Sequence, residues 1–307
     1  MIPLSVPDLR GREAEYLQKC VEDNWVSSAG PFVTRFEEEV ARQAGRAHGI
    51  ALCNGTAALH LALKAVGVGN GDLVVLPDWT FAATANAIVH AGAVPCFVDV
   101  DRDSWSIDPA LLARVLAEKG TAVKAILVVH PHGETADMDA INAVAKPAGI
   151  PVIEDAAGAL CAGYRGRPAG ALGDLACFSF NGNKLFTAGG GGMIVTDDAE
   201  LARRVRHMST QARVGSVYEH DEIGFNYRMT NLNAAVGIAQ LERREEILAA
   251  KRAIAETYDA VVEPRNDLAV AARPDWSEGN NWLYSVLCRT PGEAQSLLTH
   301  LNDAGIG

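Results

Sequence analysis

The chain has 307 residues, about half of them apolar, enough for one large domain or for a large domain with part of a second. Its formal net charge of −11 excludes the basic footprint of a non-specific nucleic-acid binder, so a phosphorylated ligand has to be held by local groups. Residues 1–20 carry Asp8, Arg10, Arg12 and Glu13 and no apolar run, no stretch reads as a membrane span, and the six scattered cysteines form no C-x-x-C pair, which together predict a cytoplasmic protein with reduced thiols.

In chain order, Thr34 with Glu37 three residues later reads as a capping box that opens a helix to Ala44, with Gly45 as its stop. Apolar runs at Gly49–Cys53, Leu73–Leu76, Val94–Val98, Ala125–Val129 and Val152–Ile153 are predicted strands. Asp108 followed by Pro109 caps a helix to Lys119. Strands at Leu175–Phe180 and Gly192–Thr196 flank a glycine-rich stretch. A long helix is predicted from the cap Thr230 to about Val261, then a strand at Trp282–Leu287 and a helix at Gly292–Ala304, after which the chain stops in the middle of an element pair. Strands alternating with helices predict an α/β fold with a mostly parallel sheet, and ligands of such sheets sit at the carboxyl ends of the strands. The expected division is a large domain over residues 1–250 and a smaller, truncated C-terminal domain over 251–307.

Three segments at that expected edge can carry chemistry. Asn54-Gly55-Thr56-Ala57 follows a strand and opens a helix, and a helix N-terminus suits a phosphate; a plain strand–turn–helix connection capped by Thr56 is the simpler alternative. Glu154-Asp155-Ala156-Ala157 ends an apolar strand, so Asp155 either faces the crevice to pair with a cation or caps the next turn. Ser179-Phe180-Asn181-Gly182-Asn183-Lys184 precedes the run Gly189–Gly192; a buried lysine there has a lowered pKa and becomes a nucleophile, whereas an exposed turn lysine does not. Ser179 can donate its hydroxyl to a phosphate. Phosphate turn, strand-end acid and lysine in this order suit pyridoxal 5'-phosphate (PLP), whose ring nitrogen stays protonated beside a carboxylate. His130 and His132 have no acidic or thiol cluster near them in sequence, and no metal site is predicted.

The segments Asn24–Pro31, Asn54–Leu59, Thr80–Asn86, Ala136–Asp139, Glu154–Ala157, Phe178–Lys184, Gly189–Met193 and Gly224–Asn231 together resemble the DegT/DnrJ/EryC1/StrS sugar aminotransferases, of the aspartate-aminotransferase fold (PLP fold type I). The run from Ser179 to Lys184 with Gly189–Asp197 is similar to the LegC-like branch, which aminates UDP- or GDP-linked 4-keto sugars. The resemblance implies a PLP enzyme with Lys184 as covalent carrier and proton shuttle and Asp155 on the pyridine nitrogen. It places Phe81 on one face of the ring and Ala157 on the other, with Gly55, Thr56, Ala57 and Ser179 at the phosphate. It also implies a homodimer with shared sites, in which Asn226 reaches the phosphate of the partner subunit's cofactor. The substrates it implies are a nucleotide-linked keto sugar, aminated at C4, and glutamate as amino donor. Without the resemblance Phe81 reads as a core aromatic and residues 224–228 as a polar loop that nothing in its own subunit requires.

Two positions depart from the family pattern. Relatives carry Gln, Glu or His where Gly158 stands, so water or a neighbour is expected beside it and Gly158→Gln is expected to be tolerated. Pro131-His132-Gly133-Glu134 replaces a segment that bears on substrate fit. Two rival readings are a PLP-dependent sugar dehydratase, which has histidine in place of the lysine, and a non-catalytic binding or regulatory protein on the same fold.

Overall fold

Seven strands share one sheet: β1 His48–Leu52, β2 Leu73–Pro77, β3 Val94–Val98, β4 Val123–Val129, β5 Val152–Asp155, β6 Leu175–Ser179 and β7 Gly192–Thr196. Their spatial order is β1-β7-β6-β5-β4-β2-β3. The structure, a computed structural model, describes residues 2–215, 217–271 and 273–307. Neighbours from β6 to β3 pair in parallel, while β7 pairs antiparallel with both β1 and β6. Six strands therefore point one way and only β7 opposes them, so β1 to β6 all end at one edge. The fold is the mostly parallel α/β arrangement expected.

Both faces of the sheet are covered, as parallel strands require. Along β1, Ile50 and Leu52 enter the apolar cluster under the helix Gly55–Ala65, while Ala51 between them faces Phe36, Phe178 and Phe180 on the other side. That period of two is the pleat of the strand. The N-terminus of Gly55–Ala65 is capped by Asn54, whose side chain accepts from Ala57 N–H, not by Thr56.

Several local expectations are corrected by tertiary contacts. The helix at Thr34 begins earlier, at Pro31, and runs to Gln43. Its cap is remote: Asn231 Oδ1 accepts from the N–H groups of Phe32 (2.9 Å) and Val33 (3.3 Å). Glu37, freed from any box, is buried and pairs with Arg228 at 2.8 Å. The helix from Thr230 is two helices, Asn231–Glu242 and Arg244–Val262. Arg243 leaves the helical region (φ −104°, ψ 13°) with its guanidinium bonded to Asp8 and Glu246.

The strand expected over Trp282–Leu287 forms only at Val286–Cys288, antiparallel to Leu268–Val270. Residues 280–282 instead turn toward the large sheet, with Asn281 at φ +55°. The last helix, Pro291–Asp303, has the full capping box of Thr290 and Glu293. No helix among the described residues is long and apolar enough to cross a membrane.

Candidate active site

The sheet edge where these six strands end borders a cavity of about 530 Å³. Gly55, Thr56, Phe81, Asp155, Ala157, Ser179 and Lys184 all line it. The three segments singled out in the sequence thus meet in space because each directly follows or ends a strand of common direction.

Gly55 approaches Ser179 closely; a Cβ on Gly55 would lie 2.9 Å from the Ser179 Cβ. A larger residue at 55 would push the helix N-terminus away from the hydroxyl of Ser179. The first-turn N–H groups of a helix have no intrahelical acceptor. Here that of Ala57 is taken by Asn54 Oδ1 at 2.8 Å, and Ala57 is buried outside the cavity lining. The turn therefore offers Gly55 and Thr56 to an anion, and Ala57 does not join them.

Asp155 ends β5 and is 5% exposed. Thr84 Oγ1 donates to its Oδ2 at 2.7 Å, and Ala157 N–H to its Oδ1 at 3.3 Å. Burial pushes this carboxyl above its ordinary value, while the Thr84 bond, the Ala157 N–H and the charge of Lys184 pull the other way. No ion pair reaches it among the described residues. A buried acid at a cavity wall, hydrogen-bonded as an acceptor and without a cation, is the environment a protonated ring nitrogen completes. Thr84 was not singled out by sequence reading; Thr80, just ahead of the helix Ala82–His90, comes beside it, and their hydroxyls are 2.6 Å apart.

Lys184 is half-buried, and burial pushes its amine down to about 8 against the opposing pull of Asp155. Its Nζ lies 3.8 Å from the centroid of the Trp282 ring. Phe81, read without the resemblance as a core aromatic, is instead 81% exposed on the cavity wall. Ala157, with its small side chain, lines the same cavity. The residues present thus fit PLP: an anion turn, an unpaired buried carboxylate, an aromatic face and a lysine with a depressed pKa.

His130 lines the cavity, and Glu154 is buried behind it. His130 Nδ1 accepts from Ala136 N–H (3.2 Å), so Nε2 donates to Glu154 Oε2 (2.9 Å). Glu154 also accepts from the N–H groups of Gly170, Leu172 and Gly173. This acid, unlike its neighbour Asp155, is committed to holding loops together.

The Pro131–Glu134 segment grips the C-terminal part of the chain. His132, at φ +53°, shares a 2.9 Å bond between Nδ1 and Ser285 Oγ, and Glu134 accepts from Ser277 Oγ at 2.6 Å.

Two expectations fail here. The space beside Gly158 is filled by Trp282: a Cβ on Gly158 would sit 2.2 Å from its Cε3. Gly158→Gln is therefore not accommodated unless the indole moves. Nor is the 224–228 run idle in its own subunit. Arg228 pairs with Glu37 and donates to the Ala51 carbonyl, and Tyr227 stacks on Phe225. Asn226 is exposed and lies outside the cavity lining of its own chain.

Comparison with known proteins agrees with this geometry. The chain is 40% identical over 304 residues to a GDP-perosamine synthase of Escherichia coli O157:H7, covering 98% of this chain and 82% of that protein. It is 45% identical over 259 residues to the GDP-perosamine synthase of Caulobacter vibrioides (strain ATCC 19089 / CIP 103742 / CB 15), covering 84% and 69%. The solved structure of DesI in the presence of its TDP-sugar product superposes with a TM-score of 0.83 at 33% identity, over 92% of this chain and 72% of that one. The sequence profile of the family matches residues 7–307, and on that match and this PLP-type site the chain belongs to the DegT/DnrJ/EryC1/StrS aminotransferase family.

Proposed function

We propose that this PLP-dependent enzyme moves an amino group from glutamate to the C4 keto group of a nucleotide-linked sugar. The observation that carries the reading is the meeting of Lys184, Asp155, Ser179 and the Gly55–Thr56 turn in one cavity, in a chain matched by the family profile nearly end to end. The GDP-perosamine synthases among its relatives favour a GDP-linked sugar. When bound, PLP supplies an electron-withdrawing ring that stabilises negative charge at the substrate carbon.

The chain's own residues would do the rest. Asp155, steadied by Thr84, holds a proton on the ring nitrogen. Gly55, Thr56 and Ser179 anchor the phosphate. Phe81 and Ala157 would flank the ring. Lys184, partly neutral at physiological pH, takes and returns the proton at the substrate carbon. We assign this machinery to residues 1–250, with helix Arg244–Val262 carrying the chain into a smaller C-terminal part. The test is a screen of GDP-, UDP- and TDP-linked 4-keto sugars with glutamate. Formation of an amino sugar from a GDP-linked ketone is expected; no amination of any of them sinks the reading.

We further propose that two subunits share each site, with Asn226 donating to the phosphate in the partner subunit. Its exposure away from its own cavity supports this. Losing one donor to a charged phosphate should weaken cofactor binding by about 1–3 kcal/mol. Mixing Lys184→Ala protein with Asn226→Ala protein, at PLP too low to fill the weakened site, should give more activity than either has alone, because one site of a mixed dimer receives neither lesion. A mixture that exchanges subunits and gains nothing, or an active protein that sediments as a monomer, removes the shared site.

A further inference from the structure

Trp282 is placed beside Lys184 by a set of bonds that leaves it little freedom. Asn280, 3% exposed, donates from Nδ2 to the carbonyls of Gly158 (2.8 Å) and Leu160 (2.9 Å), across 122 residues of chain in the first case. Its Oδ1 accepts from Trp282 N–H at 2.9 Å. The indole Nε1 donates to the carbonyl of Asn183 at 2.8 Å, one residue before Lys184. The ring edge fills the place of a side chain at Gly158, where a Cβ would lie 2.2 Å from Cε3 and 2.4 Å from Cζ3. The ring face lies 3.8 Å from Lys184 Nζ.

We propose that Trp282 is a positioning residue for Lys184: its indole face seats the protonated amine, and residue 158 is glycine because that indole occupies the space. The proposal rests on the amino-transfer reading of Lys184. An aromatic face attracts an ammonium and offers a neutral amine almost nothing. Lys184 is therefore held against the wall while it carries a proton and released when the proton is handed on. The other titratable groups acting on this amine are Asp155, which favours its charge, and His132, whose own proton is disfavoured by burial and by Lys184. Asp155 has no π face, and His132 bears on Lys184 through charge. A packing role alone would be met equally well by an aliphatic side chain of similar reach, and that difference makes the proposal testable.

The enzyme is converted with an amino donor so that the Lys184 amine is free. Trace acetylation of Nζ is then followed against pH by mass spectrometry. The wild-type midpoint should lie near 8. Trp282→Leu keeps the amine covered but removes the π face, and its midpoint should fall by about one pH unit, a roughly tenfold change. Trp282→Phe should retain most of the wild-type value. Gly158→Ala should expel the ring and shift the midpoint, and adding Trp282→Leu to it should cause no further fall. Equal midpoints for wild type and a folded Trp282→Leu protein overturn the proposal. If Trp282→Leu does not fold, uniform 5-fluorotryptophan labelling weakens the π face without changing the fold; an unmoved midpoint there overturns it equally. Failure of every amino donor to convert the enzyme counts against the proposed function alone, and the midpoint is then read after removing cofactor with hydroxylamine.

Discussion

Lys184→Ala protein is expected to hold no cofactor covalently: borohydride should fix PLP to the wild type at residue 184 and nowhere on the variant. Turnover should fall by on the order of 10⁴-fold or more, the scale of removing a covalent catalytic group. The reason lies in the environment of the amine. Burial pushes Lys184 down to about 8, which leaves roughly 300-fold more neutral amine at pH 7 than an ordinary lysine at 10.5 would have. Only the neutral amine attacks a carbonyl. Cofactor capture by the wild type should therefore speed up as pH rises through about 8 and level off above it, since the depressed pKa means the proton is lost early. A Lys184→Arg control keeps the charge but cannot deprotonate, and should be as inactive as the alanine variant. Borohydride fixation of cofactor to the Lys184→Ala protein would show that another residue carries it.

Much of this site was legible because its parts are local. Gly55–Thr56, Asp155, Ser179 and Lys184 each sit within a few residues of a strand end, and strands of common direction bring their ends to one edge. What the sequence hid is what arrives from far along the chain. The cap of helix Pro31–Gln43 comes from Asn231, so the local box of Thr34 and Glu37 lost to a tertiary acceptor. Arg243 interrupts a pattern with good helical periodicity because its bonds to Asp8 and Glu246 hold it outside helical geometry. Trp282 could not be foreseen at Gly158, since no spacing rule links positions so far apart. The missing side chain at Gly158 was the one visible trace of it. Ala57 differs in another way: it lies inside the Asn54–Ala57 motif, and its N–H is already used by the cap Asn54.

Asp155→Asn is expected to lower turnover by at least ~100-fold, the scale of removing one key electrostatic group from a water-poor site. The substitution preserves volume and an acceptor for Thr84, so it isolates the charge. No ion pair reaches this carboxyl among the described residues, and burial pushes it above its ordinary value. Thr84 commits its proton to Asp155 Oδ2, and therefore can only accept from Thr80, 2.6 Å away. Two hydroxyls in series thus present the carboxylate as an acceptor, while burial alone pushes it toward the neutral form. A cation at the cavity wall is what tips the balance to the ionised form, and the ring nitrogen of PLP is the cation the chemistry needs. Asparagine cannot hold a proton on that nitrogen, so the ring loses its pull on electrons while still fitting the cavity. Cofactor capture by Lys184 should survive in the Asp155→Asn protein, and kcat should fall far more than KM rises. Thr84→Val, which leaves the charge but removes its hydroxyl support, should lose much less. Steady-state kinetics with the aminated sugar as readout decides the matter: an Asp155→Asn enzyme within a few-fold of wild type would leave this acid with a structural role only.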